Sequence, residues 1–335
     1  MVTFTTDHPL TLLNTFRAEA RARHFAVIRD AGTLPSLAGR LPALPLLILG
    51  GGSNILFTHD HPGTVLLNRT AGMDHRYISK HRVEVTCASG MSWDEVARHA
   101  STQGWWGPEN LSFIPGTVGG AVVQNIGAYG SEIASCVRKV RGIDLLTGRE
   151  HTFSREVCRF DYRTSIFKSP GLAHFFITSV TFLFHVGEPR PVLTYPALKE
   201  LFEVPPDHPL RLREAVGHLR SSKLPSPETV PNAGSFFKNP VVKEDVVAML
   251  QQRHPGIPSY PAGEGLRKIP AAWLIEQAGW KGVHHGACAT WHRQPLVIIS
   301  DGHARGSEID SFARTIAQDV EKKFGIRLER EVITL

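Results

Sequence analysis

The chain has 335 residues, of which 42% are hydrophobic and 20% are charged, a composition that supports buried cores and excludes disorder throughout. Its 37 Lys and Arg exceed its 31 Asp and Glu, but the excess is spread along the chain and does not form the basic arm of a nucleic-acid-binding protein. Because no apolar run reaches the roughly 18 residues of a membrane span and the start of the chain lacks a secretory pattern, we expect a cytoplasmic protein of two or three domains that binds neither membranes nor nucleic acid.

Strands dominate the predicted structure of the first 185 residues. The one clear helix begins at Ser92, which forms a capping box with Glu95, and it ends before Gly104. A hairpin over residues 137–153 turns at Thr147-Gly148. Short apolar or strictly alternating runs predict further strands over residues 46–49, 55–57, 64–67, 83–87 and 175–185.

Proline-rich connectors at residues 188–196 and 204–209 mark a change in composition, beyond which helices alternate with strands. Ser307 is predicted to cap a long helix that ends at Gly325. The other helices and strands are predicted over residues 211–221, 243–252, 270–278, 296–300 and 326–335. These patterns together predict an α+β protein.

The four cysteines lie far apart in the sequence. Neither metal-ligand spacing nor a disulfide framework is apparent among Cys87, Cys136, Cys158 and Cys288. We therefore expect free thiols in a reducing compartment, and no metal site.

A first glycine-rich loop, Gly50 to Gly52, follows the predicted strand 46–49. It fails the dinucleotide-binding fingerprint, because Ile55 occupies the third glycine position and no amphipathic helix follows. Three glycines can still adopt positive φ and present successive N–H groups to an anion. From this segment alone, a tight turn without a ligand is the simpler interpretation.

A second glycine-rich segment favours a ligand-binding role over a simple turn. Residues 116–130 hold five glycines among apolar and amide side chains, a mixture that predicts neither a helix nor a regular strand. Backbone amides can approach a pyrophosphate only where no Cβ intervenes. Two such loops predict a dinucleotide held without a Rossmann turn, and a loop-rich crossing of the core remains the alternative.

Several segments, in order along nearly the whole chain, resemble one known family. They are residues 14–16, 47–57, 109–116, 124–130, 158–168, 232–240 and 328–332. This set resembles the UDP-N-acetylenolpyruvoylglucosamine reductases of bacterial peptidoglycan synthesis. Departures from the family pattern occur at Arg17, where a small residue is expected, and in the looser stretches 271–275 and 286–292.

The resemblance implies a vanillyl-alcohol-oxidase-type FAD-binding fold of two subdomains, residues 1–70 and 71–200. A C-terminal substrate-binding domain, residues 201–335, would return its last strand to the active site. It also implies reduction of UDP-N-acetylglucosamine enolpyruvate to UDP-N-acetylmuramate by an NADPH- and FAD-dependent monomer. The stretch 193–195 resembles the tyrosine loop of one subtype, and Ser53 stands where a covalently linked flavin commonly has a histidine, so the FAD is expected to be noncovalent.

The resemblance also assigns site residues. Arg163 would bind the substrate carboxylate, Ser235 would donate a proton with help from Lys238, Asn239 or a water, and Glu331 would be the acid. From the sequence alone Ser235 would be read as part of a turn or as a helix cap. The substrate contacts implied are Tyr162, Tyr195, Lys223 and Asn239, and the cofactor contacts implied are Gly50, Gly51, Gly52, Ser53, Asn54, Ile55, Ile114, Pro115, Gly116, Thr117, Gly119, Gly120, Asn125, Gly127, Ala128 and Tyr129.

Glu329 is an alternative candidate for the acid assigned to Glu331. Apolar residues at even positions of the last predicted strand place both glutamates on the opposite face. The alternation alone leaves the two open, and the family pattern selects Glu331.

Two other functions remain to be considered. A flavin oxidase or dehydrogenase acting on a small alcohol or hydroxy acid would share the glycine loops but would not need Tyr195, Ser235 and Glu331 together. A basic module that binds RNA or acidic polymers would need aromatic and basic residues on one platform, and the sequence offers none.

Overall fold

A computed structural model describes residues 2–335. The chain forms two compact units, each assembled from separate stretches of sequence. Unit 1 comprises residues 2–8, Ala22–Gly52 and His61–Ser222, and unit 2 comprises Pro9–Arg21, Ser53–Asp60 and Lys223–Leu335. The finer division at residues 70 and 200 stays a prediction.

The elements are numbered in chain order. The helices are α1 (Trp93–Thr102), α2 (Val118–Gln124), α3 (Pro196–Lys199), α4 (Pro209–Lys223), α5 (Glu244–Arg253), α6 (Ala271–Gln277) and α7 (Gly306–Phe324). The strands are β1 (Thr5–Pro9), β2 (Arg21–Ile28), β3 (Leu46–Leu49), β4 (Ile55–Leu56), β5 (His61–Asn68), β6 (Met73–Ser79), β7 (Arg82–Ala88), β8 (Gly127–Ala128), β9 (Ser131–Glu132), β10 (Val137–Asp144), β11 (Glu150–Ser154), β12 (Phe175–His185), β13 (Asn232–Ser235), β14 (Val241–Lys243), β15 (Tyr260–Pro261), β16 (Leu266–Lys268), β17 (His284–His285), β18 (Cys288–Trp291), β19 (Gln294–Ser300) and β20 (Ile333–Thr334).

Unit 1 contains a four-stranded sheet in the order β1-β2-β5-β3, in which β5 pairs in parallel with β2 and β3. The apolar residues of β3 and β5 pair in register, Leu46 opposite Thr64 and Leu49 opposite Leu67. Because β3 stops at Leu49, the first glycine loop begins where this sheet ends.

The second sheet of unit 1 is antiparallel and has the order β11-β10-β12-β7-β6. One face of β7, with Val83, Val85 and Cys87, is buried in a core that also contains Trp93 and Val96 of α1. The alternation and the capping box therefore predicted β7 and α1 correctly, because burial of one face determines both patterns.

Helix α2 corrects the expectation that the second glycine-rich segment is irregular. The Thr117 hydroxyl caps the helix by accepting from the Gly120 amide (3.3 Å), and Val118 and Val122 are fully buried. A Cβ on Gly119 would lie 3.1 Å from the Cβ of Ser89. Close packing and apolar burial thus outweigh a helix-propensity cost of about 1 kcal/mol per glycine.

Unit 2 contains a four-stranded sheet in the order β13-β19-β18-β17 and a three-stranded sheet in the order β14-β16-β15. Its core includes side chains of β19, α6 and α7, among them Ile298, Leu274, Ile309 and Ile316. Ser235 lies at the end of strand β13, which corrects the interpretation of residues 232–235 as a turn or helix cap.

Two predicted boundaries in unit 2 were wrong. The long helix α7 begins at Gly306 with Arg305, not Ser307, at its N-cap, because the Glu308 carboxylate accepts from the Arg305 amide (2.7 Å). The predicted last strand pairs as a ladder only over Ile333–Thr334, beside β4. Its alternation is still observed, since Ile326, Leu328 and Val332 are buried.

Three properties of the described part of the chain bear on function. Residues 2–335 include no helix with the length and apolarity required to cross a membrane. Within the same residues, no group of three or more His, Cys, Asp or Glu could hold a metal ion. All four cysteines are free and buried, as the sequence predicts.

Candidate active site

The two glycine loops of unit 1 lie directly against each other. A Cβ on Gly50 would lie 2.4 Å from the Thr117 hydroxyl oxygen, and a Cβ on Gly51 would lie 2.8 Å from the Cα of Gly116. Gly52 adopts φ +64°, a conformation that favours glycine. These loops form what we call the glycine cradle, Gly50–Gly52 and Gly116–Gly120, in which backbone atoms rather than side chains form the surface.

Buried polar atoms beside the glycine cradle lack partners. Within residues 2–335, no hydrogen bond reaches Asn110 Oδ1 or Ser112 Oγ, and both residues are fully buried. Leaving such groups unsatisfied costs about 1–3 kcal/mol each, which a bound polar ligand or water would recover. The backbone surface of the cradle fits a dinucleotide whose pyrophosphate contacts backbone amides.

The predicted tyrosine loop lies against residues 127–130. The Asn110 amide nitrogen donates to the carbonyls of Tyr129 (2.8 Å) and Val192 (2.9 Å). The rings of Tyr129 and Tyr195 meet edge to face, with centroids 5.2 Å apart. Asn110 therefore holds Tyr129 and the start of the tyrosine loop together, although assignment to the tyrosine-loop subtype stays a prediction.

Asn125 ends α2 in the left-handed conformation and uses its side chain within the chain. Its amide nitrogen donates to Glu132 Oε2 (2.9 Å) and to the Asp161 carbonyl (2.9 Å), and its amide oxygen accepts from the Ala134 backbone (3.2 Å). The residue is fully buried. Asn125 thus shapes the loop, and a direct contact with the cofactor stays a prediction.

Arg163 lies beside the same loop. Its guanidinium donates to the Gly127 carbonyl (2.6 Å), and its carbon lies 5.3 Å from the centre of the Tyr162 ring. Lys168 Nζ donates to the Arg163 carbonyl (2.7 Å) and so supports its unusual φ of +55°. The result is a permanently charged, half-buried guanidinium held in place next to the glycine-rich segment.

Unit 2 brings Ser235 and Glu331 onto neighbouring paired segments. The Phe236 carbonyl accepts from the Glu331 amide (2.9 Å), and the Glu329 carbonyl accepts from the Lys238 amide (2.8 Å). Phe237 and Arg330 form the antiparallel bridge between these bonds. The family resemblance names Ser235 and Glu331 but does not pair their segments, which backbone hydrogen bonds join in the structure.

Asn54 holds Glu331 from the other direction. Its side-chain nitrogen donates to the Glu331 carbonyl (3.2 Å), and its own carbonyl accepts from the Ile333 amide (3.1 Å). The implied cofactor residue Asn54 therefore also supports the backbone of the predicted acid.

The two competing glutamates have different surroundings. Glu329 forms an ion pair with Lys238 (3.1 Å), and its side chain is 75% exposed. Glu331 is half-buried. Lys238, Asn239 and a water all stay predicted helpers of Ser235. Asn239 Oδ1 itself accepts from the Ala271 amide at the start of α6 (2.9 Å).

Sequence reasoning missed a cluster that holds the segment before the glycine cradle. Arg213 of α4 forms two hydrogen bonds with Asp94 (2.6 and 2.9 Å), and its guanidinium carbon lies 4.0 Å from the centre of the Phe113 ring. The Phe113 amide donates to the same carboxylate. Burial alone would raise the pKa of Asp94, but hydrogen bonds from Arg213 and Phe113 hold it below its ordinary value. A separation of 119 residues hides this pair from any local pattern.

Arg220 was also missed. It lies two turns beyond Arg213 on α4 and interacts electrostatically with Tyr129 and Asp94. Burial lowers the pKa of Arg220, and within residues 2–335 no carboxylate lies within 4.0 Å of its guanidinium. A half-buried guanidinium that forms no direct ion pair is well suited to bind an anion.

Glu109 is a fully buried acid in the 3-10 helix Glu109–Leu111. Burial raises the pKa of Glu109 to about 7, against the opposing effect of a hydrogen bond from the Gly107 amide (2.6 Å). This carboxyl therefore gains a proton more readily than an exposed glutamate.

Comparison with known proteins agrees with this geometry. The family described as FAD binding domain matches residues 40–154, and the C-terminal domain family of UDP-N-acetylenolpyruvoylglucosamine reductase matches residues 226–335. UDP-N-acetylenolpyruvoylglucosamine reductases from Chromobacterium violaceum and Burkholderia multivorans are each 42% identical to this chain. The alignments cover 99% of both chains for the first and 98% of this chain and 96% of the relative for the second.

A solved structure shares the fold. The UDP-N-acetylenolpyruvylglucosamine reductase (MurB) from Thermus caldophilus superposes with a TM-score of 0.68 at 23% identity, covering 100% of this chain and 98% of that one. The matched domains and the glycine cradle define an FAD-dependent oxidoreductase with an FAD-binding α+β fold. Within that class, the chain belongs to the UDP-N-acetylenolpyruvoylglucosamine reductase family. The expected family, fold class, enzyme class and FAD cofactor are thus confirmed, and the alternative of a binding module without a cofactor is excluded.

Proposed function

We propose that this chain reduces UDP-N-acetylglucosamine enolpyruvate to UDP-N-acetylmuramate with electrons from NADPH, as a cytoplasmic monomer in peptidoglycan precursor synthesis. The observation that supports this most is the pairing of the segments that carry Ser235 and Glu331, because reduction of an activated alkene needs a proton donor and an acid in addition to a hydride. FAD, when bound, supplies the hydride that originates in NADPH.

The FAD contacts are proposed to come from the glycine cradle and its neighbours. The absence of Cβ atoms at Gly50 and Gly51 lets the two loops pack closely against Thr117 and Gly116, and the backbone amides of these loops are proposed to contact the pyrophosphate. Arg220 is proposed to provide a positive charge for a phosphate, since it interacts with Asp94 only at longer range than a direct ion pair. The remaining proposed contacts are Gly52, Ser53, Asn54, Ile55, Ile114, Pro115, Gly116, Thr117, Gly119, Gly120, Asn125, Gly127, Ala128 and Tyr129.

The substrate contacts are proposed from charge and chemistry. Arg163 would hold the enolpyruvyl carboxylate and stabilise the negative charge that develops when hydride adds to the β-carbon. Its hydrogen bond to the Gly127 carbonyl fixes the guanidinium before the substrate binds. Lys223 and the side chains of Tyr162, Tyr195 and Asn239 are proposed to contact the nucleotide sugar.

Protonation completes the proposed reaction. After hydride adds to the β-carbon, the α-carbon carries the electron pair of the former alkene, and the Ser235 hydroxyl donates the proton that forms the second C–H bond. Ser235 is a weak acid in water, so this step needs a strongly basic carbon and a route to regain the proton. The half-buried Glu331 is proposed to be the acid that assists this protonation.

Steady-state oxidation of NADPH tests the reaction directly. The purified protein should be yellow, and NADPH oxidation under anaerobic conditions should depend on added UDP-N-acetylglucosamine enolpyruvate. A small alcohol or hydroxy acid should not reduce the flavin. NADPH oxidation that is indifferent to the UDP-sugar, together with flavin reduction by an alcohol, would instead identify the oxidase or dehydrogenase alternative.

A further inference from the structure

A buried carboxylate on α7 binds two arginines from different parts of unit 2. The Asp310 side chain is only 5% exposed. Arg314, one turn further along α7, and Arg330, from the C-terminal segment, each form an ion pair with it. Two guanidinium groups therefore share one buried carboxylate, and only one of them belongs to the segment that carries Glu331.

Arg330 joins that segment to three neighbours. Its guanidinium contacts Asp310, donates to the Thr334 hydroxyl (3.0 Å) and lies 5.9 Å from the centre of the Phe236 ring. Its backbone forms the bridge to Phe237. These contacts reach positions on both sides of Glu331, at residues 330 and 334.

Backbone hydrogen bonds join this segment to two different neighbours, residues 236–238 and residues 54–58, and no continuous ladder runs along it. The regular ladder β20 spans only Ile333–Thr334, and the pairing with Phe237 is an isolated bridge. A shift of one residue in an extended segment turns every side chain to the opposite face. A shift here would exchange the face of Glu331 with that of Arg330.

We propose that Arg330 is a positioning residue for the reduction step. Its ion pair with Asp310 fixes the register of the C-terminal segment and thereby the face that Glu331 occupies. This inference rests on the proposed role of Glu331.

The test uses Arg314 as a matched control, because Arg314 and Arg330 bind the same carboxylate. In either Arg314→Met or Arg330→Met, Asp310 keeps one guanidinium. Arg330→Met should slow flavin reoxidation by the UDP-enolpyruvyl sugar by about 10- to 100-fold, as a small misplacement of a reacting group does, while flavin reduction by NADPH is unchanged. Arg314→Met should leave both half-reactions unchanged. Arg330→Lys, which keeps the charge, should recover part of the rate.

Amide hydrogen exchange provides a readout that does not depend on turnover. Exchange in the peptide covering residues 326–335 should increase in Arg330→Met and stay at the wild-type level in Arg314→Met. Equal effects of the two methionine variants, or equal slowing of both half-reactions by Arg330→Met, would overturn the proposal and leave only a stabilising ion pair.

A Glu331→Gln variant separates this inference from the proposed function. If Glu331→Gln reoxidises at the wild-type rate, Glu331 is not the acid and the positioning role fails with it. If Glu331→Gln is slow and Arg330→Met is not, the reaction assignment stands and the role of Arg330 alone is rejected.

Discussion

The glycine cradle of unit 1 and the paired segments of unit 2 use the backbone in opposite ways. In the cradle, Gly50 and Gly51 have no side chains, and the two loops approach so closely that a single added Cβ would overlap the opposite loop. In unit 2, a backbone hydrogen bond joins Glu331 to Phe236, and the side chains of Ser235 and Glu331 are proposed to supply the chemistry. Substitutions in the cradle should therefore weaken FAD binding by steric overlap. Substitutions of the proposed catalytic residues in unit 2 should instead slow individual steps of the reaction.

Glu331→Gln is expected to have the largest effect on the reaction and tests whether unit 2 supplies the acid. An amide cannot act as an acid, so alkene reduction should fall by about a thousandfold or more, with FAD retained and NADPH reduction of the flavin unchanged. Glu329→Gln, the matched control, removes only an exposed ion pair with Lys238 and should change the rate little. Stopped-flow absorbance of the flavin measures both half-reactions, and the reverse order of effects would mean that Glu329 is the acid.

Ser235→Ala should have the next largest effect. Loss of the proton donor should slow flavin reoxidation by the UDP-enolpyruvyl sugar by about a thousandfold and leave reduction by NADPH nearly intact. Ser235→Cys, which keeps an ionisable proton, should be less impaired. Equal loss of both half-reactions in single-turnover measurements would refute the role of Ser235.

Arg213→Met tests how much the Asp94–Arg213 pair, which holds the segment around Phe113, contributes to the stability of unit 1. Removal of the guanidinium leaves the Asp94 carboxylate, which is 30% exposed, without its bidentate partner and should lower the free energy of unfolding by about 1–3 kcal/mol. Arg211→Met removes an exposed pair with Asp207 and should change it by less than about 1 kcal/mol. Urea denaturation followed by tryptophan fluorescence measures both, and similar values for the two would remove the special role of Arg213.

Gly51→Ala should weaken FAD binding without a change in the reaction steps of the FAD-loaded enzyme. Its Cβ would meet the Cα of Gly116 at 2.8 Å, and such overpacking costs about 1–3 kcal/mol, which corresponds to roughly a 5- to 150-fold increase in Kd. Gly171→Ala, where a Cβ meets no atom within 4 Å, should bind FAD normally. Fluorescence titration of the apoprotein with FAD distinguishes the two, and unchanged affinity of Gly51→Ala would contradict the cradle.

The same contrast explains what the sequence could predict about the fold. The boundaries of β12, Phe175–His185, were predicted residue for residue because the strand is rich in β-branched and aromatic residues. Strand β6, Met73–Ser79, was missed because it is exposed on nearly all its residues and has no apolar period. Helix α2 was missed because glycine propensity opposed it, whereas burial of Val118 and Val122 decided it.

The candidate site was predictable only where family segments carry the residues. Resemblance identified Arg163, Ser235 and Glu331, but composition and spacing could not have paired the segment of Phe236 with that of Glu331. Asp94 and Arg213, 119 residues apart, were invisible for the same reason. Long-range pairing is fixed by packing of the whole unit, which no short window of sequence contains.

The smallest expected effect concerns Glu109 and pH. Because burial raises its pKa in the folded protein to about 7 from its ordinary value of 4.5, its protonated form is favoured by folding. The stability it contributes is fully present below pH 4.5 and is lost as the pH rises towards 7, a change of about 1–2 kcal/mol after allowance for relaxation around the charge. Glu109→Gln should flatten this part of the stability profile, as measured by urea denaturation at a series of pH values. Glu109 directly precedes Asn110, whose side-chain amide donates to the carbonyls of Tyr129 and Val192. Protonation of Glu109 therefore takes place next to the residue that holds these two segments together. A stability profile that stays equally steep in Glu109→Gln would assign the pH dependence to another group.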